Sequence, residues 1–238
     1  MKKISIIAMA VLIAHAAPAA AAGYIELGWG DCAPLGPSTA TKTQLCTTNT
    51  ALPLILVGSF EPPDSLHKFN GHEGVLDLQT NEATLSQWWH MEVGGCRGAS
   101  ITSSFDFTSG PFTCTDVWGG QASGGLSYTL TAANRARIKT VCAVADAFQA
   151  DIAPGFEYYV FKVTINNAKS VGTGSCLGCL VGACIVFNSI KLTQPAGFGD
   201  RTLTTGAQQA VSYRGGITGD CYVPVLTRSW GQIKSLYR

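Results

Sequence analysis

Short runs of alternating apolar and polar residues, rich in β-branched and aromatic side chains, recur along most of this chain. They span residues 54–60, 74–78, 100–107, 126–130, 137–145, 157–165, 184–192 and 222–226. Gly, Pro, Asn, Asp and Ser separate the runs, as expected for strands joined by turns. Helical periodicity is confined to residues 82–88 and 130–137, which are too short for the crossovers that parallel strands need. The pattern predicts an all-β fold, a disulfide-stabilised antiparallel two-sheet β-sandwich that is jelly-roll-like or immunoglobulin-like.

Two local features refine this prediction. Pro154-Gly155 has the composition of a type II turn, because proline presets φ at one position and glycine tolerates positive φ at the next. The runs at residues 137–145 and 157–165, on either side of this turn, are therefore predicted to be antiparallel neighbours. No internal repeat or composition break interrupts the chain after residue 22, so residues 23–238 are predicted to form one domain.

The first 22 residues have the three parts of a cleavable signal peptide. Lys2 and Lys3 precede an apolar stretch at residues 4–14, and the small residues Ala20 and Ala22 follow it. That stretch is too short for a membrane span, which needs about 20 residues. We therefore expect cleavage after Ala22 and export from a bacterial-type cell, with a secreted or cell-surface location and the periplasm as the alternative.

The charge balance limits the classes of partner. Without Lys2 and Lys3, 14 of the 16 basic residues remain against 15 acidic ones, so the exported chain is nearly neutral. A nucleic-acid-binding protein is expected to carry a basic surface, which this composition does not favour. No later apolar stretch is long enough to predict a membrane span.

All nine cysteines follow residue 22, and exported thiols meet an oxidising environment in which they pair. The simplest arrangement is four disulfides and one remaining thiol, which is either buried or linked to another chain. Because short loops close at small entropic cost, the predicted local bridges are Cys32 with Cys46, Cys96 with Cys114 and Cys176 with Cys184. Cys179 would then pair with another cysteine or stay free.

Cys176 and Cys179 lie two residues apart, a spacing also found in redox pairs and zinc sites. A redox pair needs a helix N-terminus to lower the thiol pKa, whereas these cysteines are among glycines and precede a predicted strand. No other ligand lies near enough in sequence to favour zinc. The segment is therefore interpreted as a disulfide-pinned loop.

Three histidines follow the signal segment, and His67, His72 and His90 have acidic neighbours that suggest a metal site as a weak alternative. Asn70-Gly71 has the composition of a hairpin turn, so an exposed polar turn is the favoured interpretation. We predict no bound metal and no cofactor.

Trp88, Trp89 and Trp118 suggest another site. Exposed indoles on secreted β-sandwiches can stack on sugar rings, although core packing is the more common role of tryptophan. Adjacent residues in an extended chain point in opposite directions, so at most one of Trp88 and Trp89 is expected to face solvent. Polysaccharide is the ligand class that such a platform suggests.

The catalytic motifs that we sought are absent from the sequence: a nucleophile elbow, a zinc-protease helix, a phosphate-binding loop and a dinucleotide fingerprint. Pairs such as Asp146 with Asp151, or Asp106 with Asp116, have little specificity as general acid and base. The sequence favours a non-enzymatic structural or interaction domain that assembles with itself or with other surface components, by strand addition at exposed β edges. The alternatives are a carbohydrate-binding module that uses exposed tryptophans, and a secreted hydrolase built from dispersed acids and His90.

Overall fold

The structure is a computed structural model, and it describes residues 23–30, 32, 39–109, 114–206 and 208–216. Among these residues there are thirteen strands, two single 3-10 turns and no α-helix. The strands are β1 (Tyr24–Trp29), β2 (Thr41–Lys42), β3 (Leu54–Glu61), β4 (Leu66–Phe69), β5 (Gly71–Thr80), β6 (Ile101–Ser104), β7 (Ser123–Ala132), β8 (Arg135–Ala143), β9 (Ala150–Ile152), β10 (Tyr158–Ile165), β11 (Ala183–Thr193), β12 (Arg201–Leu203) and β13 (Ala210–Tyr213). In this part of the chain no helix is long and apolar enough to cross a membrane.

The strands form two principal sheets. The first has the order β1-β3-β10-β6, and the second has the order β2-β13-β11-β5-β8-β7, with β12 also paired to β11. A small third sheet pairs β4 with β9. All strand pairs are antiparallel except β2 with β13, which run parallel. The predicted antiparallel, all-β fold is therefore confirmed, with a parallel pair at one edge.

One main hydrophobic core lies between the two sheets. Leu56 and Phe161 from the first sheet and Leu76, Ile138 and Ile185 from the second are wholly buried in it. Along β8 buried residues alternate with more exposed ones, as the two-residue side-chain period of a β-strand predicts. The two sheets thus stack as a sandwich.

A glycine on β3 makes room for an aromatic ring of its neighbour β10 in the first sheet. A Cβ atom at residue 58 would lie 2.1 Å from the Phe161 ring, which itself packs edge-on against Phe187 at 5.2 Å between ring centroids. Glycine in a strand often marks such a close approach. Gly58 therefore lets an aromatic ring fill the middle of the core.

Several of the predicted strands are confirmed. The runs at residues 54–60, 74–78, 126–130 and 184–192 all lie within observed strands, whereas the run at 222–226 and the predicted signal segment lie outside the described residues. The predicted turn is present, with Gly155 at a φ of +84°.

The two segments with helical periodicity do not form α-helices. Residues 82–88 are mainly irregular and lead into a 3-10 turn at Gln87–Trp89, and residues 130–137 form the hairpin between β7 and β8. Each segment is too short to gain helical stability without tertiary support, so packing against the sheets decides its conformation.

Strands β8 and β10 are not neighbours, contrary to the prediction. Strand β8 lies between β5 and β7 in one sheet, whereas β10 lies between β3 and β6 in the other. Asn70-Gly71 is not a hairpin turn either, because β4 pairs with β9 and Gly71 begins β5. A Cβ at Gly71 would lie 2.4 Å from the Cys142 carbonyl oxygen, so close backbone approach explains this glycine.

The disulfides connect segments that are distant in sequence. The bridges are Cys32–Cys114, Cys46–Cys179 and Cys96–Cys176, so the predicted local pairings are wrong. Cys184 is also disulfide-bonded. The six cysteines predicted to form disulfides all do so, but the fold brings together loops at least 80 residues apart. The cost of closing a short loop therefore does not decide the pairing.

Candidate functional site

The three tryptophans of the predicted sugar platform belong to the core. Trp88 and Trp89 are wholly buried in the 3-10 turn, and Trp118 is 4% exposed. The indole N–H groups donate to Ser170 Oγ, the Val181 carbonyl and the Phe69 carbonyl, respectively. The prediction of an exposed platform is thus corrected. In a tight turn, unlike an extended strand, neighbouring side chains can enter the same core.

The histidines lie in three different environments. His67 is exposed, 3.8 Å from a carboxylate oxygen of Asp151, whereas His90 Nδ1 lies 2.8 Å from Glu92 Oε1. His72 is buried. The described residues contain no group of three or more histidine, cysteine or acidic side chains arranged to hold a metal ion. The structure therefore does not bring together the three histidines that were considered as alternative metal ligands.

His72 and Cys142 form a buried pair that sequence analysis did not identify. They are register partners on β5 and β8, and Cys142 Sγ lies 3.1 Å from His72 Nδ1. Burial lowers the pKa of His72 to about 3 and raises the pKa of Cys142 to about 12. Both groups are therefore neutral at physiological pH. A nucleophilic cysteine needs the opposite, a thiolate stabilised beside a cation.

This pair leads to a testable result. In the folded protein Cys142 should react with an aromatic disulfide reagent at pH 8 at least a hundredfold more slowly than after denaturation, because burial excludes the reagent and suppresses the thiolate. A Cys142→Ala variant measured in parallel identifies the signal that belongs to this thiol. Rapid labelling of the native wild type, absent from the variant, would contradict the burial.

A second polar cluster lies on the outer face of the first sheet, where β1, β3 and β10 are adjacent. Ser59 Oγ donates to Glu157 Oε1 at 2.5 Å, and the Tyr159 hydroxyl donates to Glu157 Oε2 at 3.2 Å. The pKa of Tyr24 is raised to about 12, mainly by burial and further by Glu157, Glu61 and Glu26. Cross-strand register decides these neighbours, so single-sequence reasoning had no signal for them.

Hydrogen bonding shows what this cluster does in the fold. Both oxygens of Glu157 accept side-chain hydrogen bonds, and Glu61 Oε1 accepts one from the Gly155 backbone N–H at 2.9 Å. These bonds connect the segment before β10 to the outer face of the sheet.

The aspartates Asp106 and Asp116, which the sequence suggested as a general acid and base, instead accept hydrogen bonds from nearby loop residues. Asp116 accepts from the backbone N–H of Phe107, Trp118 and Gly120, and Asp106 accepts from Thr108.

Strand β7 is an edge strand of the second sheet, and most of its residues are exposed. Within the described part of the chain, β7 pairs only with β8 and leaves its other edge unpaired. Eight of its ten residues are exposed, and its sequence, SGGLSYTLTA, contains neither a charged residue nor proline. Only Tyr128 is buried, and its hydroxyl donates to the Trp89 carbonyl at 2.5 Å.

The other edges are covered or short. Backbone N–H groups of β1 donate to the carbonyls of Thr205, Gln208 and Thr39. Strand β2 has two residues and β6 has four. Natural proteins usually protect sheet edges with short strands, charges, proline or a covering segment. Strand β7 is ten residues long and contains neither a charged residue nor proline. Among the described residues no backbone hydrogen bond covers its outer edge.

Comparison with known proteins adds no family. No family model and no curated protein matched this sequence.

Proposed function

We propose that this protein is a secreted or cell-surface interaction domain, without catalytic activity, that assembles by adding a strand to the free edge of β7. The observation that carries the proposal is the ten-residue, uncharged, proline-free edge. An unpaired strand presents a row of backbone donors and acceptors, and a second strand can satisfy them without any side-chain motif.

A second copy of the same chain is the partner that the proposal favours. Two β7 strands can pair antiparallel about a two-fold axis, so that identical surfaces meet and the sheet continues from one copy to the next. The nearly neutral charge of the chain after residue 22 lowers the electrostatic cost of bringing two copies together.

The disulfides support an exported location, with the periplasm as the alternative to secretion or the cell surface. Three bridges between distant segments, and a fourth through Cys184, suit an oxidising compartment. The carbohydrate-binding and hydrolase alternatives find no specific support in the contacts of the described residues.

A matched pair of lysine substitutions tests strand addition. Gly125 on β7 and Val141 on β8 are direct cross-strand partners, and a Cβ at Gly125 would meet no atom within 4 Å. Gly125→Lys places a charge on the edge, whereas Val141→Lys places the same charge one strand further in. We expect Gly125→Lys to weaken self-association roughly tenfold, because two lysines must be desolvated in each dimer.

Sedimentation velocity over a wide protein concentration range measures the association. Val141→Lys should associate like the wild type, and both variants should keep the wild-type thermal midpoint within a few degrees. A wild type that stays monomeric throughout, or two variants that weaken association equally, would refute assembly through β7.

A further inference from the structure

Three long loops meet at one end of the sandwich, and we call residues 43–53, 81–100 and 166–182 the loop end. They lie next to the ends of adjacent strands, because Leu54 pairs with Ile165, and Ile165 pairs with Ile101. Disulfides Cys46–Cys179 and Cys96–Cys176 connect the third loop to the first and to the second. The loop end is therefore a cross-linked unit.

Backbone-directed hydrogen bonds hold the same loops together. Asn167 Nδ2 donates to the carbonyls of Ala51 and Leu52 at 2.8 and 2.9 Å. Asn49 Oδ1 accepts from the backbone N–H of Ser170 and Val171. These contacts and the disulfides order the loops in advance, so binding there costs little additional conformational entropy.

This ordered end carries large apolar side chains in water. Five residues project from it: Leu45, Leu52, Val93, Leu177 and Leu180, with exposed fractions of 81%, 88%, 103%, 72% and 60%. Side chains this exposed pack against almost nothing in their own molecule. A protein-binding hot spot instead sits in a packed pocket near the centre of an interface. Leucines that project one at a time from loops are instead suited to insertion into the fluid hydrocarbon of a lipid layer, whose chains can surround each side chain.

Two of the three loops carry no acidic residue, and the one charged residue that they contain is Lys169. Residues 43–53 and 166–182 contain no aspartate or glutamate. Lys169 donates to the Cys96 carbonyl and Arg214 to the Gln44 carbonyl, so both cations lie at the loop end. The remaining loop contains two acidic residues: Glu82 is exposed, and Glu92 is paired with His90. Apolar side chains beside cations are typical of segments that insert into the interface of an anionic membrane.

We infer that the loop end is a membrane-docking surface, which inserts leucine side chains between the headgroups of an anionic lipid bilayer while the sandwich stays outside. This binding is peripheral and does not depend on strand addition at β7. It gives the exported protein a lipid surface as a second partner, at a site distinct from its proposed self-assembly edge.

The test is co-sedimentation of the mature, oxidised protein with vesicles of phosphatidylcholine alone and of phosphatidylcholine with phosphatidylglycerol. Partial insertion of a leucine is worth roughly a fivefold change in partitioning. The variant Leu45→Ser/Leu52→Ser/Leu177→Ser/Leu180→Ser should therefore lose at least about a hundredfold in binding to the anionic vesicles.

The opposite end of the sandwich supplies the matched control. Phe148, Phe156 and Phe198 are exposed there, and the variant Phe148→Ser/Phe156→Ser/Phe198→Ser should bind anionic vesicles like the wild type. Gly125→Lys should also keep full vesicle binding, which separates this inference from strand addition. Two results would overturn the inference: a wild type that binds no anionic vesicles, or vesicle binding that the leucine variant retains in full.

Discussion

Replacing Arg97 with methionine is expected to lower the free energy of unfolding by about 3 kcal/mol. Arg97 is wholly buried, and its guanidinium donates to the carbonyls of Trp88, Ala168 and Asn166. It also stacks on the Trp88 ring, 3.7 Å from the centroid. Methionine keeps the apolar stem but leaves three buried carbonyls without this donor, so the loss exceeds the gain from no longer burying a charge.

The charge on Arg97 persists although burial lowers its pKa to about 10. This cation is bound by carbonyl groups rather than by a carboxylate, and it connects Arg97 to Ala168 and Asn166, which are 71 and 69 residues away in sequence. Chemical denaturation with urea measures the effect. The matched control is Arg201→Met, which removes an exposed ion pair with Asp64 and should change stability by less than about 1 kcal/mol. Equal stability of the two variants would show that Arg97 contributes no more than a surface ion pair.

Acid should destabilise this protein through His72. Its pKa in the folded state, about 3, lies below the ordinary value of 6.5, because burial disfavours the charged imidazolium. The stability that a neutral His72 contributes is therefore complete above pH 6.5 and is lost as the pH falls from 6.5 towards 3. The loss approaches about 1.4 kcal/mol per pH unit over that interval.

Carboxylates also titrate in part of this range, so the informative quantity is a difference between variants. His72→Gln removes the titrating group, and its stability should fall less steeply with acid than that of the wild type. His67→Gln, which changes an exposed histidine, should follow the wild-type curve. Urea unfolding at half-unit intervals between pH 4 and 7 gives the slopes. Parallel curves for His72→Gln and the wild type would contradict the assignment.

The local properties of the chain predicted the class of fold and most of its strands. Residues 54–60 and 184–192 are rich in apolar and β-branched side chains, and both lie in strands. Pro154-Gly155 makes its turn because the two residues restrict or permit φ locally. These properties reside in neighbouring residues, so a single sequence displays them.

Features that depend on distant residues were predicted poorly. Trp88 and Trp89 were considered as an exposed platform, but both are buried by segments from elsewhere in the chain, including Tyr213. His72 looked like a residue of an exposed turn, but it is buried against Cys142, which is 70 positions away. No pattern within a strand reveals its partner in the sheet.

For this protein, composition and periodicity were sufficient to predict the all-β class and disulfide bonding, because burial of alternate side chains and pairing of cysteines follow from residue type. Sheet order, disulfide pairing, the exposed edge of β7 and the projecting loop end came only from the assembled sandwich. Each of these depends on which of many similar strands lie side by side. That choice is made by the packing of the whole core, since all the strands carry nearly the same local preference.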